Sequence, residues 1–314
     1  MRPQAGFVAV IVTCATVASA TTTTITIFSP SNNRNTSFVV YTPPNYATNP
    51  SRHYPLVISL HGIGGTASGR ANQVVPTLDA AITAGTVQPM IYLFPDGQTD
   101  SFWGDAFDGH KQVYSNVINE ILPYVEANYR TIADRDHRAM EGFSMGGFGA
   151  AMYAAKHTAQ FSAVVEYGGA LSKWTDLMTF NAPVASSMYN NVEANFIPYS
   201  LWDQTGLHAN ELHTTVDYKM IVGDADPQQT SNQRFRDYLL SLNIDPHYQV
   251  LPGVAHLGDD YYQEGSGLKF LDNHFASVPE PAAAGTLSAA TVIAIANLRA
   301  RRRTGRPDSH HQHA

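Results

Sequence analysis

A chain of 314 residues that is 44% hydrophobic and only 14% charged is long enough for one large folded domain and too apolar to be disordered. Its 19 basic and 26 acidic residues leave a net charge of −7, which opposes a polyanionic backbone and excludes nucleic acid as an expected partner. The one cysteine, Cys14, gives the rest of the chain neither disulfide nor thiol chemistry.

The first segment reads as an address. Residues 1–20 run from Arg2 through the apolar stretch Gly6–Val12 to Val17-Ala-Ser-Ala20, the small-residue pattern of a signal-peptidase site. Cys14 sits inside this leader, and Thr13 before it lacks the small apolar character of a lipoprotein site. An exported protein is expected. A domain over residues 21–277 follows, opening with two β-rich runs, Thr22–Phe28 and Ser37–Tyr41.

Pro55–Leu60 is the next strand, and it runs into Leu60-His-Gly-Ile-Gly-Gly65. Glycines there allow the backbone to turn N–H groups inward, as an oxyanion hole requires. A phosphate loop is a poor match, because no Lys-Ser/Thr pair follows. After a strand at Met90–Phe94, Lys111–Tyr129 places Val113, Val117, Ile121, Leu122 and Val125 along one helical face.

The strand His137–Phe143 ends in Gly142-Phe-Ser144-Met-Gly146, and a helix is expected from Gly147 to His157. A serine between two glycines, at a strand-to-helix junction, is the setting of a nucleophile elbow. The plainer reading is a glycine-rich turn that happens to hold a serine. A serine hydroxyl needs a base to take its proton, and in α/β-hydrolases the order along the chain is serine, acid, histidine. One donor of the oxyanion hole would be the N–H of the residue after the nucleophile, Met145.

Past the strand Ser162–Tyr167, the alternation breaks between Gly168 and Thr215, a stretch rich in Asn, Tyr and Trp. Residues 170–215 read as an insertion, either a lid or substrate wall or a loop with a helix or two. Within it, His208 and His213 are five apart and would not share a helical face as an i, i+4 metal pair does, so no metal is expected.

The strand Tyr218–Val222 leads into Gly223-Asp-Ala-Asp-Pro227, which offers Asp224 and Asp226 as the acid. Spacing does not separate them, and both also suit turns or helix caps. A helix over Gln229–Leu242 and a strand at His247–Leu251 follow. Of the downstream histidines His157, His208, His213, His247, His256 and His274, only His256 lies in a loop just past a strand end, where α/β sites form. A last helix spans Leu268–Ala276. Two antiparallel-looking strands followed by alternating strands and helices define an α/β fold, a mostly parallel central sheet flanked by helices on both faces.

Several of these stretches together resemble one family. Leu60-His-Gly-Ile-Gly-Gly65, Phe94-Pro-Asp-Gly97, Ser101-Phe-Trp-Gly-Asp105, Glu120-Ile-Leu-Pro123 and Gly142-Phe-Ser-Met-Gly-Gly147 are similar to the esterase family of α/β-hydrolases that includes feruloyl esterases, esterase D-type thioesterases and mycolyltransferases. The likeness spans roughly residues 35–275. It implies the α/β-hydrolase fold, Ser144 as nucleophile, His256 as base and Asp226, the fourth residue of Gly-Asp-Ala-Asp, as acid. It also implies Ile63, after the His-Gly pair, as the second oxyanion donor beside Met145. The function implied is an exported serine ester hydrolase acting through an acyl-enzyme, without cofactor, on cell-wall polysaccharide esters such as feruloyl or acetyl groups. An acyltransferase of the mycolyltransferase type and a catalytically silent surface protein on the same scaffold are the alternatives. The insertion matches no pattern of the family.

The segment 278–314 reads Val278-Pro-Glu-Pro281, a small and apolar run Ala282–Leu298, then Arg299-Ala-Arg-Arg-Arg303. A run of 17 residues makes a short membrane span, and the arginines would stay on the cytoplasmic side. In that order the features resemble the PEP-CTERM sorting signal. The resemblance implies transient membrane contact and processing by an exosortase-like partner. Without both ends the body keeps 13 basic and 24 acidic residues, a charge suited to solubility at a cell surface.

Overall fold

The computed structural model describes residues 18–278. The leader up to residue 17 and the tail from residue 279 lie outside the described residues, and with them the two targeting expectations. All eight expected strands form: β1 (Thr21–Ser29), β2 (Arg34–Thr42), β3 (Leu56–Leu60), β4 (Ile91–Pro95), β5 (Arg138–Phe143), β6 (Ala163–Tyr167), β7 (Asp217–Gly223) and β8 (His247–Leu251). They make one sheet in the order β1-β2-β4-β3-β5-β6-β7-β8. The pairs β1–β2 and β2–β4 are antiparallel and the other five are parallel.

Side chains alternate between two buried layers, as a sheet covered on both faces requires. Leu56, Ile58 and Leu60 of β3 enter one layer while Val57 enters the other. The first layer is closed by helices α2 (Val113–Asn116), α3 (Leu122–Asn128), α4 (Met145–Lys156), α8 (Leu201–Leu207) and α10 (Gln229–Ser241). The second is closed by α1 (Ala67–Thr83), α11 (Gly258–Glu264) and α12 (Gly267–Ser277). Of these, α1 and α11 carry no clear apolar periodicity in the sequence.

Two helices depart from their expected form. The segment expected to be one helix over Lys111–Tyr129 is interrupted by a π-turn at Val117–Ile121, where the Leu122 N–H reaches back to Val117 O. Pro123 is the physical reason, since it has no N–H for the α-helical bond and its ring presses on the preceding turn. The π-turn aims Glu120 at β1, where its carboxylate accepts from Ser29 Oγ at 2.5 Å, Ser31 N at 2.8 Å and Asn116 Nδ2 at 2.6 Å. Helix α4 begins at Met145 rather than Gly147, directly on the serine.

The insertion holds α5 (Trp174–Phe180), α6 (Ala182–Tyr189), α7 (Glu193–Phe196), a 3₁₀ turn (Ile197–Tyr199), α8 and α9 (Ala209–Thr215). Leu177, Val184, Met188, Tyr189, Phe196 and Leu201 are buried in the same layer as α4, so the segment is packed structure.

The sheet order fixes where a ligand can go. From β3 the chain crosses to β4 on one side, then returns past β3 to β5 on the other. The loops leaving β3 and β5 therefore diverge, and a crevice opens between them at the C-terminal strand ends. Two glycines let β5 and α4 meet there. A Cβ on Gly142 would lie 2.1 Å from Gly146 O, and one on Gly146 would lie 2.1 Å from Leu60 O. Gly146→Ala is therefore expected to lower the unfolding free energy by more than about 2 kcal/mol in denaturant titrations. An unchanged midpoint would mean the junction has room for a side chain.

Candidate active site

Ser144 stands at the turn between β5 and α4 with φ 59° and ψ −119°, a region that costs a non-glycine residue energy and persists only under strong constraint. The constraints are visible. Ser144 N–H donates to Tyr167 O at 3.0 Å, while its carbonyl accepts from Ala170 N at 2.9 Å and Phe148 N at 3.1 Å. Gly142 and Gly146 remove the side chains that would push strand and helix apart. The hydroxyl is thereby lifted out of the helix.

His256 approaches from the loop after β8. Its Nε2 lies 2.8 Å from Ser144 Oγ and its Nδ1 lies 2.7 Å from Asp226 Oδ2. An ionised carboxylate only accepts, so Nδ1 carries the proton and Nε2 is left to accept from the serine hydroxyl. The Phe143 ring lies against the imidazole, with centroids 4.6 Å apart.

The two aspartates left open by spacing are separated by their partners. Asp226 has a fully buried side chain and receives His256, the Tyr261 hydroxyl and Gln228 N. Burial pushes its carboxyl up, but these three hydrogen bonds outweigh burial and hold it below the ordinary carboxylate range. Asp224 instead accepts from Gly253 N at 2.6 Å. It staples the loop after β7 to the loop after β8, and does not face the histidine.

The loop after β3 is set by His61. Gly97 N–H donates to His61 Nε2 at 2.8 Å, so Nδ1 carries the proton and donates to Gly62 O at 2.8 Å. Gly62 O and Ile63 N–H belong to the same trans peptide, so fixing the carbonyl toward His61 turns the Ile63 N–H the opposite way. Gly62 itself lies against Ser144, since a Cβ there would sit 3.2 Å from Ser144 Cβ. Met145 N–H is at the first position of α4, one of the N–H groups a helix cannot pair internally. Burial holds His61 below its ordinary range, against the opposing pull of Gly62 O and Asp96. The unfolded chain therefore binds the extra proton first, and this loop loses stability as the pH falls below about 6.5. Trp103 braces the arrangement, donating from Nε1 to His61 O at 3.2 Å.

Tyr261 is a contributor that no sequence signal announced. It lies five residues after His256 on α11, and its hydroxyl donates to Asp226 while accepting from Gly223 N at 2.8 Å. Its neighbour Tyr262 donates to Glu141 and accepts from Arg70. Helix α11 thus ties the loop that carries His256 to β5, β7 and α1.

A cleft of about 380 Å³ borders the loop after β3, lined by Ile63, Thr99, Asp100, Phe180 and Val184 among others. Ile63 is 50% exposed and Phe180 78% exposed. The insertion supplies one wall and the loops after β3 and β4 the other. His208 and His213 are not brought to this site; His213 Nδ1 bonds Asn243 O at 2.5 Å. Among the described residues no cluster of three or more His, Cys, Asp and Glu could hold a metal ion.

An eight-stranded, mostly parallel sheet with a strained serine after β5, and an aspartate and a histidine after β7 and β8, defines an α/β-hydrolase. The family model Esterase, described as "Putative esterase", matches residues 29–244, and the chain belongs to that family. It is 34% identical over 176 residues to an esterase of Mycobacterium tuberculosis, a match covering 54% of this chain and 38% of that protein. It is 28% identical over 161 residues to an endo-1,4-beta-xylanase/feruloyl esterase of Xylanibacter ruminicola, covering 48% and 21% of the two chains. The chain thus spans well under half the length of these relatives. A solved ferulic acid esterase superposes with a TM-score of 0.70 at 25% identity, over 82% of this chain and 99% of that one.

The different partners of the two aspartates give a ranking. Asp226→Asn is expected to lower kcat on an activated aryl ester by roughly 10⁴-fold, because the histidine would be held in the wrong tautomer. Asp224→Asn, which removes the charge but keeps a carbonyl acceptor for Gly253 N–H, is expected to stay within about tenfold of the wild type. The opposite order in steady-state kinetics would assign the acid to Asp224.

Proposed function

We propose that the protein is a serine carboxylic ester hydrolase working through an acyl-enzyme. The observation that carries this is the unbroken hydrogen-bonded chain from Ser144 Oγ through His256 to a fully buried Asp226. Ser144 Oγ attacks the ester carbonyl while its proton passes to His256 Nε2. Asp226 steadies the resulting imidazolium, and the N–H groups of Ile63 and Met145 hold the negative oxygen. The tetrahedral intermediate collapses as His256 protonates the departing alcohol, leaving the acyl group on Ser144. Water then repeats the sequence, with His256 as base, and releases the acid.

The flanks of the site divide the substrate. His256 must reach the leaving oxygen, so the alcohol departs on the β7–β8 side. The apolar cleft of Ile63, Phe180 and Val184 lies on the β3–β4 side and receives the acyl group. Its size suits a compact acyl group better than a long lipid chain. Likeness to a xylanase/feruloyl esterase and to a ferulic acid esterase supports feruloyl or acetyl esters of cell-wall polysaccharide as substrates.

Ser144→Ala is expected to cost at least roughly 10³-fold in kcat on a short aryl ester and to abolish covalent labelling by a fluorophosphonate probe. Labelling of the alanine variant, or turnover like the wild type, would remove Ser144 from the mechanism. The leader and tail support export with transient membrane retention. Mature protein from the native host should lack residues 1–20 and the tail from about Pro279 by mass spectrometry, and replacing Arg301, Arg302 and Arg303 with neutral residues should release unprocessed chain. Intact termini on the mature protein would overturn the targeting assignment.

A further inference from the structure

Two glutamates interrupt the apolar strands of the sheet, one on each face, and their surroundings differ. Glu141 on β5 has the Arg70 guanidinium 3.9 Å away and accepts from the Tyr262 hydroxyl. Glu166 on β6 is equally buried and has a single protein partner: Oε2 accepts from Gly169 N at 2.7 Å, and Oε1 has none. Glu166 shares its face with Met220 and Tyr248, which lie in register across β7 and β8, and with Tyr218, which lies opposite Val164. Asn232 of α10 comes in from above, donating from Nδ2 to Gly169 O at 2.8 Å.

The partner of Glu166 makes it matter. Gly168, Gly169 and Ala170 form a short strap behind the reacting groups. Ala170 N–H holds the Ser144 carbonyl, and Gly168 is pressed against the acid, since a Cβ there would lie 2.8 Å from Asp226 Oδ2. Gly168 has φ +50°, so the strap keeps its path only while held at both ends and in the middle. The middle is the Gly169 peptide, gripped by Glu166 on its N–H and by Asn232 on its carbonyl.

We propose that Glu166 is a positioning residue that works in its protonated form, holding the strap between Ser144 and Asp226, and that its ionisation sets the alkaline limit of activity. The inference rests on the reading of Ser144, His256 and Asp226 as the catalytic chain. A neutral carboxyl keeps the Gly169 bond and leaves no bare charge on Oε1, an atom that no protein group reaches. An ionised carboxyl would offer no donor and would set a second negative charge near Asp226. It would oppose the oxyanion as well, because Oε2 lies beside the first turn of α4, 3.4 Å from a Cβ built on Gly147.

The titratable groups around Glu166 are Asp226 in the β7–α10 loop, Tyr218 on β7, Tyr248 on β8 beneath Arg236 of α10, and Tyr261 on α11. Burial, then the charge of Asp226, push the carboxyl up to about 8, although the Gly169 N–H pulls the other way. A carboxyl raised in the folded state contributes stability that is complete below about 4.5 and lost as the pH rises through about 8.

The test uses the full chain, with Glu166→Gln and Glu166→Ala, and an activated aryl ester from about pH 6 to about pH 10. Glutamine keeps a carbonyl acceptor for Gly169 and cannot ionise. The wild type is expected to lose about fivefold or more in kcat with a midpoint near 8, and Glu166→Gln to stay within about threefold of wild type at pH 7 with no such fall. Glu166→Ala is expected to lose more than about tenfold in kcat at every pH with little change in KM, as a slackened strap predicts. An alkaline fall unchanged in Glu166→Gln would overturn the proposal. A second reading needs no turnover: the infrared difference between wild type and Glu166→Gln, in which the buried Glu141 common to both cancels, should show a protonated-carboxyl band at neutral pH that vanishes on raising the pH. Absence of that difference band would also overturn the proposal. No hydrolysis by the wild type at any pH would overturn the catalytic reading beneath it, whereas the infrared band reports on Glu166 alone.

Discussion

The backbone of Ser144, held at a positive φ where β5 gives way to α4, is the constraint from which the rest of the site follows. No serine adopts this conformation for its own sake, so neighbours must impose it. Gly142 and Gly146 make room, Tyr167 takes the serine N–H, and Ala170 and Phe148 take its carbonyl. Gly142 and Tyr167 are fixed in turn by the parallel pairing of β3, β5 and β6. The sheet therefore aims a hydroxyl at the one place where the loops around it diverge.

A second layer of polar contacts keeps the partners of that hydroxyl in register. Asp224 ties the loop after β7 to the loop after β8 through Gly253, so Asp226 and His256 are carried by one stapled unit. Tyr261 reaches the acid from the helix after the base, and Tyr262 reaches through Glu141 to Arg70 on α1. His61 does for the Gly62–Ile63 peptide what Asp226 does for His256, fixing one end of a rigid group and with it the direction of the other. These groups are buried polar atoms, costly when unpaired, and nearly all of them are paired.

The eight strands were legible because β-branched and aromatic residues cluster in short runs between turn residues. Ser144 and His256 were legible because each sits in a loop just past a strand. The choice between Asp224 and Asp226 was not legible from spacing, since both follow β7 with one residue between them and only their partners, Gly253 for one and His256 and Tyr261 for the other, separate them. Helix α1 was hidden because its buried face includes Arg70 and two alanines, with Gly69 and Pro76 inside the run. Helix α11, Gly258–Glu264, is too short for periodicity to register, and so Tyr261 passed unseen. The insertion hid for a related reason. Its apolar residues are spread over several short helices whose faces change direction at each turn, and only their shared burial against α4 unites them.

That burial has a kinetic consequence. Phe180 and Val184 line the cleft, yet the helices that carry them are anchored by Leu177, Ala185, Met188 and Tyr189 in the same core that supports α4. A wall anchored in this way does not swing shut on a substrate. On the proposed reading the cleft is formed before an ester arrives, so binding would need no large ordering of the chain. Discrimination among esters would then rest on fit against a preformed surface and would show in how long each one stays.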